Sequence, residues 1–418
     1  MVDALRLSKS EWQDTEFGKI PGYWKTETIG ALSKNVTDGS HFSPKPRSVG
    51  KYMCSVKDMT YNRFDFSNCK LISQNDFDKL VAQGCKPEKN DILISKDGAN
   101  CLDLIFVFDQ EEDLVLLSSI AIVRLLPNID PKFVCYFLLS PACQYIMRNN
   151  YVSGSAIPRV VLKDFKKISI LLPPLPEQRA IASVLSSLDD KIDLLHRQNK
   201  TLEAMAEALF RQWFVEEADE EWEERSITEL FEIRDGTHDS PKQKEIGKPL
   251  LTSKHILKNR LDIENAYLIS DEDFENVNRR SKVDANDILF SMIGTIGLIY
   301  LEQSSEINYT IKNIGLFKTS QNPDWAYYTF LWLKSSFGQD FIHEHRSGST
   351  QEYISLGSLR SIVFNCPPTE LHREFNEIVN SYFNKININN YQIRTLEKLR
   401  DTLLSKLMSG KVRVRYER

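Results

Sequence analysis

The sequence predicts an α+β chain of two tandem domains, each followed by one long helix. Two segments carry a heptad pattern typical of long helices, 173–215 and 367–418. The segments that precede them, 24–172 and 216–366, repeat each other in short islands of sequence. Both domains contain aliphatic runs with strand composition, broken by turn residues. A chain of 418 residues is also too long for a single hydrophobic core.

The first long helix is predicted from the spacing of its apolar residues. This seam recurs at alternating intervals of four and three residues, at Ile181, Leu185, Leu188, Ile192, Leu195, Leu202, Ala206, Leu209 and Trp213. Asn199 is its one polar break. Pro176 suits the first turn of a helix, and no Gly or Pro interrupts residues 177–214. Such a helix is roughly 57 Å long, and its single apolar stripe needs a partner.

The second long helix supplies that partner within the same chain. Its aligned seam consists of Phe375, Val379, Tyr382, Ile386, Asn389, Ile393, Leu396, Arg400, Leu403 and Leu407. The match extends beyond apolar positions, because Arg179 aligns with Arg373. The polar seam residues Asn199 and Asn389 are predicted to set the helix register at some cost in stability.

Charge and hydropathy indicate a soluble protein without a clear electrostatic signature. The formal net charge is −5, but acidic residues concentrate at 216–224, a predicted solvated linker, and the rest of the chain is nearly neutral. Residues 1–23 are polar and are predicted to form an irregular arm. The longest apolar run, 114–126, is too short to span a bilayer, and no signal peptide is recognisable. A cytoplasmic protein without membrane contact is expected.

The cysteines indicate reduced thiols rather than disulfides or a metal site. The chain has 7 cysteines, an odd number, and none of them forms a CxxC pair. This usage is typical of a reducing compartment. Cys54, Cys69, Cys85 and Cys101 are evenly spaced and are interpreted as buried strand residues.

Two islands align the domains most clearly. DGSHFSPK at 38–45 aligns with DGTHDSPK at 235–242, and NDILISKDG at 90–98 aligns with NDILFSMIG at 286–294. Strands are predicted at 91–95, 104–108, 114–124 and 168–172, with counterparts at 287–291, 298–301, 312–318 and 362–365. Helices that open with Pro are predicted at 131–149 and 323–343.

The repeated DGxHxSPK motif is the most specific short pattern in the chain. Asp-Gly favours a turn, and the motif presents a His and a Lys on a loop. His41, Lys45, His238 and Lys242 would then contact phosphates or base edges of a nucleic acid. An alternative stays open, in which the Asp bonds its own backbone and the His packs locally.

Polar loops precede the last predicted strand of each domain. They contain Ser-Gly-Ser at 153–155 and again at 347–349. Glycine-containing polar loops suit a close approach of backbone to phosphate. A simple surface turn is the alternative, and the sequence leaves both open.

Recognisable catalytic patterns are absent from the sequence. Neither GxGxxG nor GxxxxGK[ST] occurs, and no NPPY-like tetrapeptide of an amino-methyltransferase is present. The run EKNDILISK at 88–96 resembles a nuclease pattern only faintly, because Ile94 stands where a second metal-binding carboxylate is needed. We therefore expect a binding protein without an active site, a metal or a cofactor of its own.

The run LPPLPEQRAIASVLSSLDDKIDLLHRQNKTLEAMAEALFRQWF at 172–214 closely resembles the central region of specificity (S) subunits of type I restriction–modification enzymes. GKIPGYWKTETIG at 18–30 and the DGTH-type turns resemble the entrance of that family's target-recognition domains. One departure is the second helix start, PPTELHR at 367–373 in place of PPLPEQR, so a partner contact by Glu177 and Gln178 would not recur there.

The resemblance implies a subunit that reads two unlike parts of an asymmetric site in double-stranded DNA. Each domain would be a target-recognition domain, and the two long helices would pack as an antiparallel coiled coil that gives pseudo-twofold symmetry and acts as a spacer. Two methyltransferase (M) subunits and further restriction–translocase (R) subunits would dock on it. S-adenosylmethionine, ATP and magnesium would bind only to those partners.

Candidate functional residues follow from the motifs and the resemblance together. The candidates for DNA contact are Ser40, His41, Lys45, Arg63, Lys96, Ser153, Ser155, Arg159, Thr237, His238, Lys242, Lys254, Ser347, Ser349 and Gln351. The candidates for the spacer or for partner docking are Glu177, Gln178, Arg179, Asn199, Arg373 and Asn389.

Other classes of protein stay open at this point. A stand-alone nuclease or methyltransferase with an unrecognised site would turn over DNA without partners. A scaffold would bind protein but not DNA, and a specificity or scaffold subunit could serve a related phage-defence complex instead.

Overall fold

The chain divides into two compact units. The computed structural model describes residues 2–3, 12–154, 156–258, 260–348 and 352–414. Unit 1 comprises Met1–Asp193 and Ile393–Arg418, and unit 2 comprises Leu194–Gln392. Each unit therefore includes part of both long helices, whereas the sequence predicted the helices as separate segments after each domain. No helix within the described residues combines the length and the apolarity needed to cross a membrane.

The two longest helices fall within the segments that the heptad pattern predicted. The helices are α1 (Ile29–Leu32), α2 (Gln74–Ala82), α3 (Pro131–Leu139), α4 (Pro141–Asn150), α5 (Leu162–Phe165), α6 (Leu175–Arg211), α7 (Ile227–Leu230), α8 (Asp271–Ser281), α9 (Ala326–Lys334), α10 (Ser336–Glu344), α11 (Leu356–Arg360) and α12 (Thr369–Met408). A π-helical turn, Gln212–Glu216, follows α6.

The strands are short, as the scattered aliphatic runs predicted. They are β1 (Val2–Asp3), β2 (Trp12–Thr15), β3 (Gly18–Pro21), β4 (Lys25–Thr28), β5 (Ser33–Asp38), β6 (Lys51–Cys54), β7 (Lys70–Ile72), β8 (Ile92–Ser95), β9 (Ile105–Val107), β10 (Leu114–Leu116), β11 (Ile120–Leu125), β12 (Ser169–Leu172), β13 (Glu223–Ser226), β14 (Ile233–Asp235), β15 (Lys248–Leu251), β16 (Ile256–Leu257), β17 (Arg260–Leu261), β18 (Tyr267–Ile269), β19 (Ile288–Ser291), β20 (Ile299–Leu301), β21 (Thr310–Ile311), β22 (Ile314–Phe317), β23 (Arg346–Ser347), β24 (Tyr353–Ile354), β25 (Val363–Cys366) and β26 (Arg413–Val414).

Both units contain the same pair of sheets, which confirms the predicted α+β class and the tandem repeat. Unit 1 has an antiparallel sheet of order β5-β11-β8-β9 and a mixed sheet of order β10-β6-β7. Unit 2 repeats them as β14-β22-β19-β20 and β18-β15-β21. In each mixed sheet the parallel neighbour comes from late in the domain, β10 on β6 and β21 on β15. The repeated islands therefore reflect a repeated topology.

The N-terminal segment is more ordered than the predicted irregular arm. Strands β2 and β3 form a hairpin, and Gly18, the first residue of β3, has a φ of 97°, which glycine adopts without strain. Ile20 and Trp24 are buried in the core of unit 1. The amide of Gln13 donates to the carbonyl of Trp24 at 2.6 Å. The predicted linker at 216–224 likewise ends in a strand, because β13 pairs with β25.

The predicted helices at 131–149 and 323–343 are each divided in two. Ser140 separates α3 from α4, and its hydroxyl caps α4 by accepting from the Cys143 amide. Pro141 has no N–H to donate back to the preceding turn, so it ends α3 and begins α4. Ser335 caps α10 in the same way in unit 2 by accepting from the Gly338 amide.

The predicted seam of each long helix is inaccessible or half-buried at every position. Within unit 1, Asp189 of α6 lies 3.0 Å from Arg400 of α12. Glu177, earlier in α6, lies 3.8 Å from Arg413, which follows the end of α12. The two helix segments of unit 1 therefore run antiparallel.

Buried amides join the two helix segments within unit 2. The Asn389 Nδ2 donates to Asn199 Oδ1 at 2.8 Å, and the Asn199 Nδ2 donates to Asn390 Oδ1 at 2.8 Å. Asn389 is completely buried. A shift of one turn would place these amides against apolar side chains, so the pair suits the predicted role in setting register.

Candidate nucleic-acid interface

The DGSH turn of unit 1 begins where β5 ends. A Cβ on Gly39 would lie 2.1 Å from the Leu116 carbonyl oxygen, so only glycine fits between the two sheets. Ser40 is buried, and its hydroxyl donates to the Phe42 carbonyl and accepts from the Phe42 amide. Ser40 therefore stabilises the turn, as in the structural alternative. His41 points outward, and its side chain is 81% exposed.

Three predicted contact residues meet around two carboxylates in unit 1. Lys96 Nζ lies 3.4 Å from Asp38 Oδ2 and 3.1 Å from Asp97 Oδ2. His41 Nε2 lies 3.6 Å from the same Asp38 oxygen, and Arg159 Nε lies 3.7 Å from Asp97 Oδ1. Lys96 is buried, whereas Arg159 is exposed. The DGSH turn, the end of β8 and the SGS loop therefore form one charged surface.

The SGS loop of unit 1 is held at its base by backbone pairing. The amides of Ser153 and Arg159 each donate to the carbonyl of the other at 2.8 Å. Gly154 has a φ of 89°, and a Cβ there would lie 2.4 Å from the Ile157 carbonyl oxygen. Ser153 is exposed in this tight turn, and its contact with phosphate stays a prediction. Ser155 lies outside the described residues.

Unit 2 builds a different cluster on the equivalent turn. His238 Nε2 lies 2.8 Å from Asp235 Oδ2, and its Nδ1 lies 2.8 Å from Asn313 Oδ1. Arg280 Nη2 lies 2.5 Å from the other oxygen of Asp235. Thr237 is half-buried and bridges to Lys312 through the backbone. His238 is therefore oriented from both sides of its ring.

The remaining candidates fall into three groups. Lys45, Lys242 and Lys254 are exposed and form no ion pair with the part of the chain that the structure describes. Ser347 is exposed in β23, and Ser349 and Gln351 lie outside the described residues. The three lysines thus provide exposed cations on the surface of each unit.

Arg63 does not join the charged surface of unit 1. Its Nη2 lies 3.4 Å from Asp193 of α6, and the Tyr61 hydroxyl donates to the same carboxylate at 3.4 Å. The guanidinium attaches a loop to the long helix, and its contact with DNA stays a prediction.

Sequence reasoning missed an arginine-lined cleft in unit 2. The cleft has a volume of about 720 Å³, and its lining includes Arg234, Arg279, Arg280 and Arg360. Arg360 donates to the Ile233 carbonyl through Nε and Nη2, at 3.0 and 2.8 Å. The adjacent pair Arg279-Arg280 at the end of α8 was the available signal, and Arg280 connects this cleft to the DGTH turn.

The acidic residues of the NDIL runs are structural. Asp91 is buried and receives hydrogen bonds from Arg124 Nε at 2.9 Å and Nη2 at 2.8 Å. The aligned Asp287 lies 2.5 Å from Lys318 Nζ. Because Arg124 occupies the Asp91 carboxylate, Asp91 is not free to bind a metal ion, which argues against the nuclease interpretation of 88–96. Among the described residues, no group of three or more His, Cys, Asp or Glu side chains is placed to hold a metal ion.

Two of the predicted docking residues are buried within unit 1. The Glu177 carboxylate accepts from the Tyr23 hydroxyl at 3.0 Å, and burial raises the pKa of Glu177 above its ordinary value. Gln178 accepts from the Asp130 amide at 3.0 Å and donates to the Pro173 carbonyl at 2.8 Å. Both side chains are thus held by contacts within unit 1 at the start of α6, and a contact with a partner subunit stays a prediction.

Arg179 and Arg373 remain exposed at the start of the two long helices. They are aligned residues of the repeat, so each unit presents a cation at the same point of its fold. A partner surface can reach both side chains without unfolding the chain.

His372 replaces Gln178 at the aligned position of unit 2. It is buried, and its ring centroid lies 4.3 Å from that of Trp325 and 5.8 Å from that of Tyr328. Burial lowers the pKa of His372 from 6.5 to about 4, although Asp324 opposes the shift. Aromatic packing thus takes the place of the amide hydrogen bonds that Gln178 makes.

His372→Gln is expected to remove a pH dependence of stability. Between pH 6.5 and pH 4 the unfolded chain binds the proton and the folded chain does not, so the free energy of unfolding falls as the pH falls. The loss is at most about 1.4 kcal/mol per pH unit. Denaturant titrations at pH 7 and pH 5 should show a wild-type loss about 2 kcal/mol larger than that of the variant. Parallel losses would contradict the neutral state of His372.

The fold and the site together define a class of tandem-repeat protein that presents a polar, partly cationic surface on each of two α+β units. The sequence profile of the type I restriction modification DNA specificity domain matches residues 43–204 and 219–398. The chain belongs to this family, which confirms the predicted membership.

Curated relatives span nearly the whole chain. The type I restriction enzyme MjaIX specificity subunit of Methanocaldococcus jannaschii is 24% identical, over 97% of each protein. The HindI specificity subunit of Haemophilus influenzae is 21% identical, over 93% of this chain and 99% of the relative. The S subunit structure from the type I restriction-modification system of M. genitalium has a TM-score of 0.55 at 17% identity, over 97% of this chain and 99% of that one. That structure supports the fold.

Proposed function

We propose that this chain is the DNA-reading subunit of a type I restriction–modification complex and that it recognises a bipartite, asymmetric site. The observation that carries the proposal is the charged surface of unit 1, where Lys96, His41 and Arg159 meet. Buried Lys96 holds the Asp38 and Asp97 carboxylates, and the exposed side chains of Arg159 and His41 would contact phosphates and base edges. The cluster around His238 in unit 2 would read the second half-site.

The two half-sites are expected to differ because the two units present different chemistry. Phe42 of unit 1 is 67% exposed, and the aligned residue in unit 2 is Asp239. Lys96 of unit 1 aligns with Met292, so unit 2 has no lysine at this position. The positive charge beside Asp235 comes from Arg280 instead. An apolar ring and a carboxylate select different base edges. A footprint with a symmetric, palindromic site would contradict this proposal.

In this proposal the chain confers specificity and leaves chemistry to its partners. Two M subunits would bring S-adenosylmethionine, and the R subunits would bring ATP and magnesium. Asp91 and Asp287 support a non-catalytic chain, because both carboxylates are committed to Arg124 and Lys318. Arg179 and Arg373 would contact partner subunits, and the complex would act in the cytoplasm on double-stranded DNA.

Removing single cations is expected to weaken DNA binding by the assembled complex. Lys45→Ala, Arg159→Ala and Lys242→Ala should each reduce the slope of log affinity against log salt concentration by about one, because each removes a phosphate contact. Lys19→Ala, which removes an exposed cation from the hairpin of unit 1, is the matched control. Fluorescence anisotropy over a salt series measures both slope and affinity.

Unchanged binding in all three variants, with the complex intact, would favour a scaffold that does not touch DNA. Intact DNA binding without restriction or methylation would favour a subunit of a related phage-defence complex.

A further inference from the structure

Cys54 and Cys69 face each other across two strands of unit 1. Strands β6 and β7 are antiparallel, and Met53 and Lys70 are their last paired residues. Cys54 and Cys69 come next on each strand, and their sulfur atoms are 3.3 Å apart. Cys54 is buried in β6, as predicted, whereas Cys69 is half-buried and precedes β7, which corrects its interpretation as a buried strand residue.

The two thiols differ in access and in ionisation. Cys54 is fully buried, whereas solvent reaches Cys69. The hydrogen bond from Cys54 lowers the pKa of the Cys69 thiol, and the same contact together with burial raises the pKa of Cys54. Since the thiolate is the nucleophile, Cys69 is the residue placed to react first with a soluble oxidant.

The repeat shows that the fold does not need thiols at this place. Strands β15 and β18 of unit 2 pair in the same register, with Leu250 opposite Tyr267 as the last pair. The next residues on the two strands are Leu251 and Ala266, and both are buried. Two apolar side chains therefore fill the equivalent space in unit 2. Packing alone does not explain why unit 1 has two facing thiols there.

The backbone geometry suits a covalent bond between the two sulfur atoms. Facing residues of antiparallel strands have Cα atoms about 4.5–5.5 Å apart, which falls within the range of native disulfides. An S–S bond is about 2.05 Å long, so the sulfur atoms need to approach by little more than 1 Å. Rotation of the two side chains can supply that movement.

We propose that Cys54 and Cys69 form an oxidative modification site that closes to a disulfide when it meets a hydroperoxide. The Cys69 thiolate attacks one peroxide oxygen, the O–O bond breaks, and Cys69 becomes a sulfenic acid while the leaving oxygen takes up a proton. The Cys54 sulfur then attacks the Cys69 sulfur, the S–O bond breaks, and the departing hydroxide leaves as water with the Cys54 proton. The two sulfur atoms together supply the two electrons that reduce the peroxide.

The bond would close the segment 55–68 into a covalent loop. That loop carries Tyr61 and Arg63, which contact Asp193 of α6. Oxidation would thus fix the base of the loop that attaches the mixed sheet of unit 1 to the long helix. This inference is independent of the proposed DNA-reading function.

Peptide mapping of the full chain after treatment with hydrogen peroxide tests the proposal. The oxidised wild type should lose two of its 7 alkylatable thiols under denaturing conditions, yield a cross-linked peptide joining Cys54 to Cys69, and regain both thiols with dithiothreitol. If all thiols stay alkylatable, or if the lost thiols map to another pair, the proposal is overturned.

Cys54→Leu and Cys69→Ala are the matched variants, because unit 2 carries these residues at the aligned positions. Neither variant should form the cross-link. Solvent still reaches Cys69 in the Cys54→Leu variant, so dimedone should trap it as sulfenic acid, although more slowly than Cys69 of the wild type reacts, because the hydrogen bond that lowers its pKa is lost. Cys54 in the Cys69→Ala variant should stay unlabelled. The opposite labelling would overturn the assignment of Cys69 as the attacking thiol.

Discussion

Lys318→Ala is expected to destabilise unit 2 by about 3–5 kcal/mol, since it leaves a buried carboxylate without its partner. The side chain of Lys318 is 5% exposed, and its ammonium lies 2.5 Å from Asp287 and 2.7 Å from Asp284. Asp287 has no exposed side-chain surface, so its carboxylate depends on contacts inside the protein. Asp287 directly precedes β19, and Lys318 directly follows β22. Amide hydrogen exchange of these two strands measures the loss of stability, which should appear as faster exchange in unit 2.

Lys282→Ala is the matched control for this effect. Lys282 Nζ lies 2.9 Å from Asp284, but its side chain is 66% exposed. The expected cost is below about 1 kcal/mol, because an exposed ion pair gains little over hydration. Equal losses in the two variants would show that burial of the Lys318 ion pair does not contribute to the stability of unit 2.

A four-residue insertion into each long helix is expected to lengthen the gap between the two DNA half-sites without changing either half-site. The insertions belong between Asp193 and Leu194 and between Gln392 and Ile393, where the chain passes from one compact unit to the other. Four helical residues add roughly 6 Å, which corresponds to one or two base pairs at about 3.4 Å each. Contacts inside each unit, including the Asn199–Asn389 pair, are left in place.

Methylation mapping of the insertion variant measures the gap directly. The same four residues inserted after Glu111, in an exposed loop of unit 1, provide the control and should leave the gap unchanged. An unchanged gap in the helix variant, with methylation retained, would exclude the spacer role of the long helices.

The sequence was informative wherever burial depends on local spacing. The seams of α6 and α12 were predictable because a helix returns to the same face every three or four residues. The hairpin Trp12–Thr15/Gly18–Pro21 was missed because its polar residues alternate weakly, and tertiary contacts of Ile20 and Trp24 hold it.

The sequence predicted which residues belong to the candidate site, but it did not predict how they are arranged in space. His41, Lys96 and Arg159 each belong to an aligned island or loop, yet nothing local indicates that Asp38 and Asp97 gather them. The Lys96–Asp38 and Arg159–Asp97 contacts join residues far apart in the chain. The sheet pairing of β5, β11 and β8 brings the first pair together, and a backbone bridge between Asp97 and Arg159 brings the second. The contact of Arg63 was equally unpredictable, because nothing near it in the sequence indicates that this loop cation pairs with Asp193 of α6.

Sequencing of methylated adenines tests the central claim most directly. Cells that express this chain together with its M subunits are compared with cells that lack only this chain. We expect a new methyladenine motif of two unlike parts separated by a fixed gap. A stable complex that produces no new motif, or one that produces a palindromic motif, would contradict it.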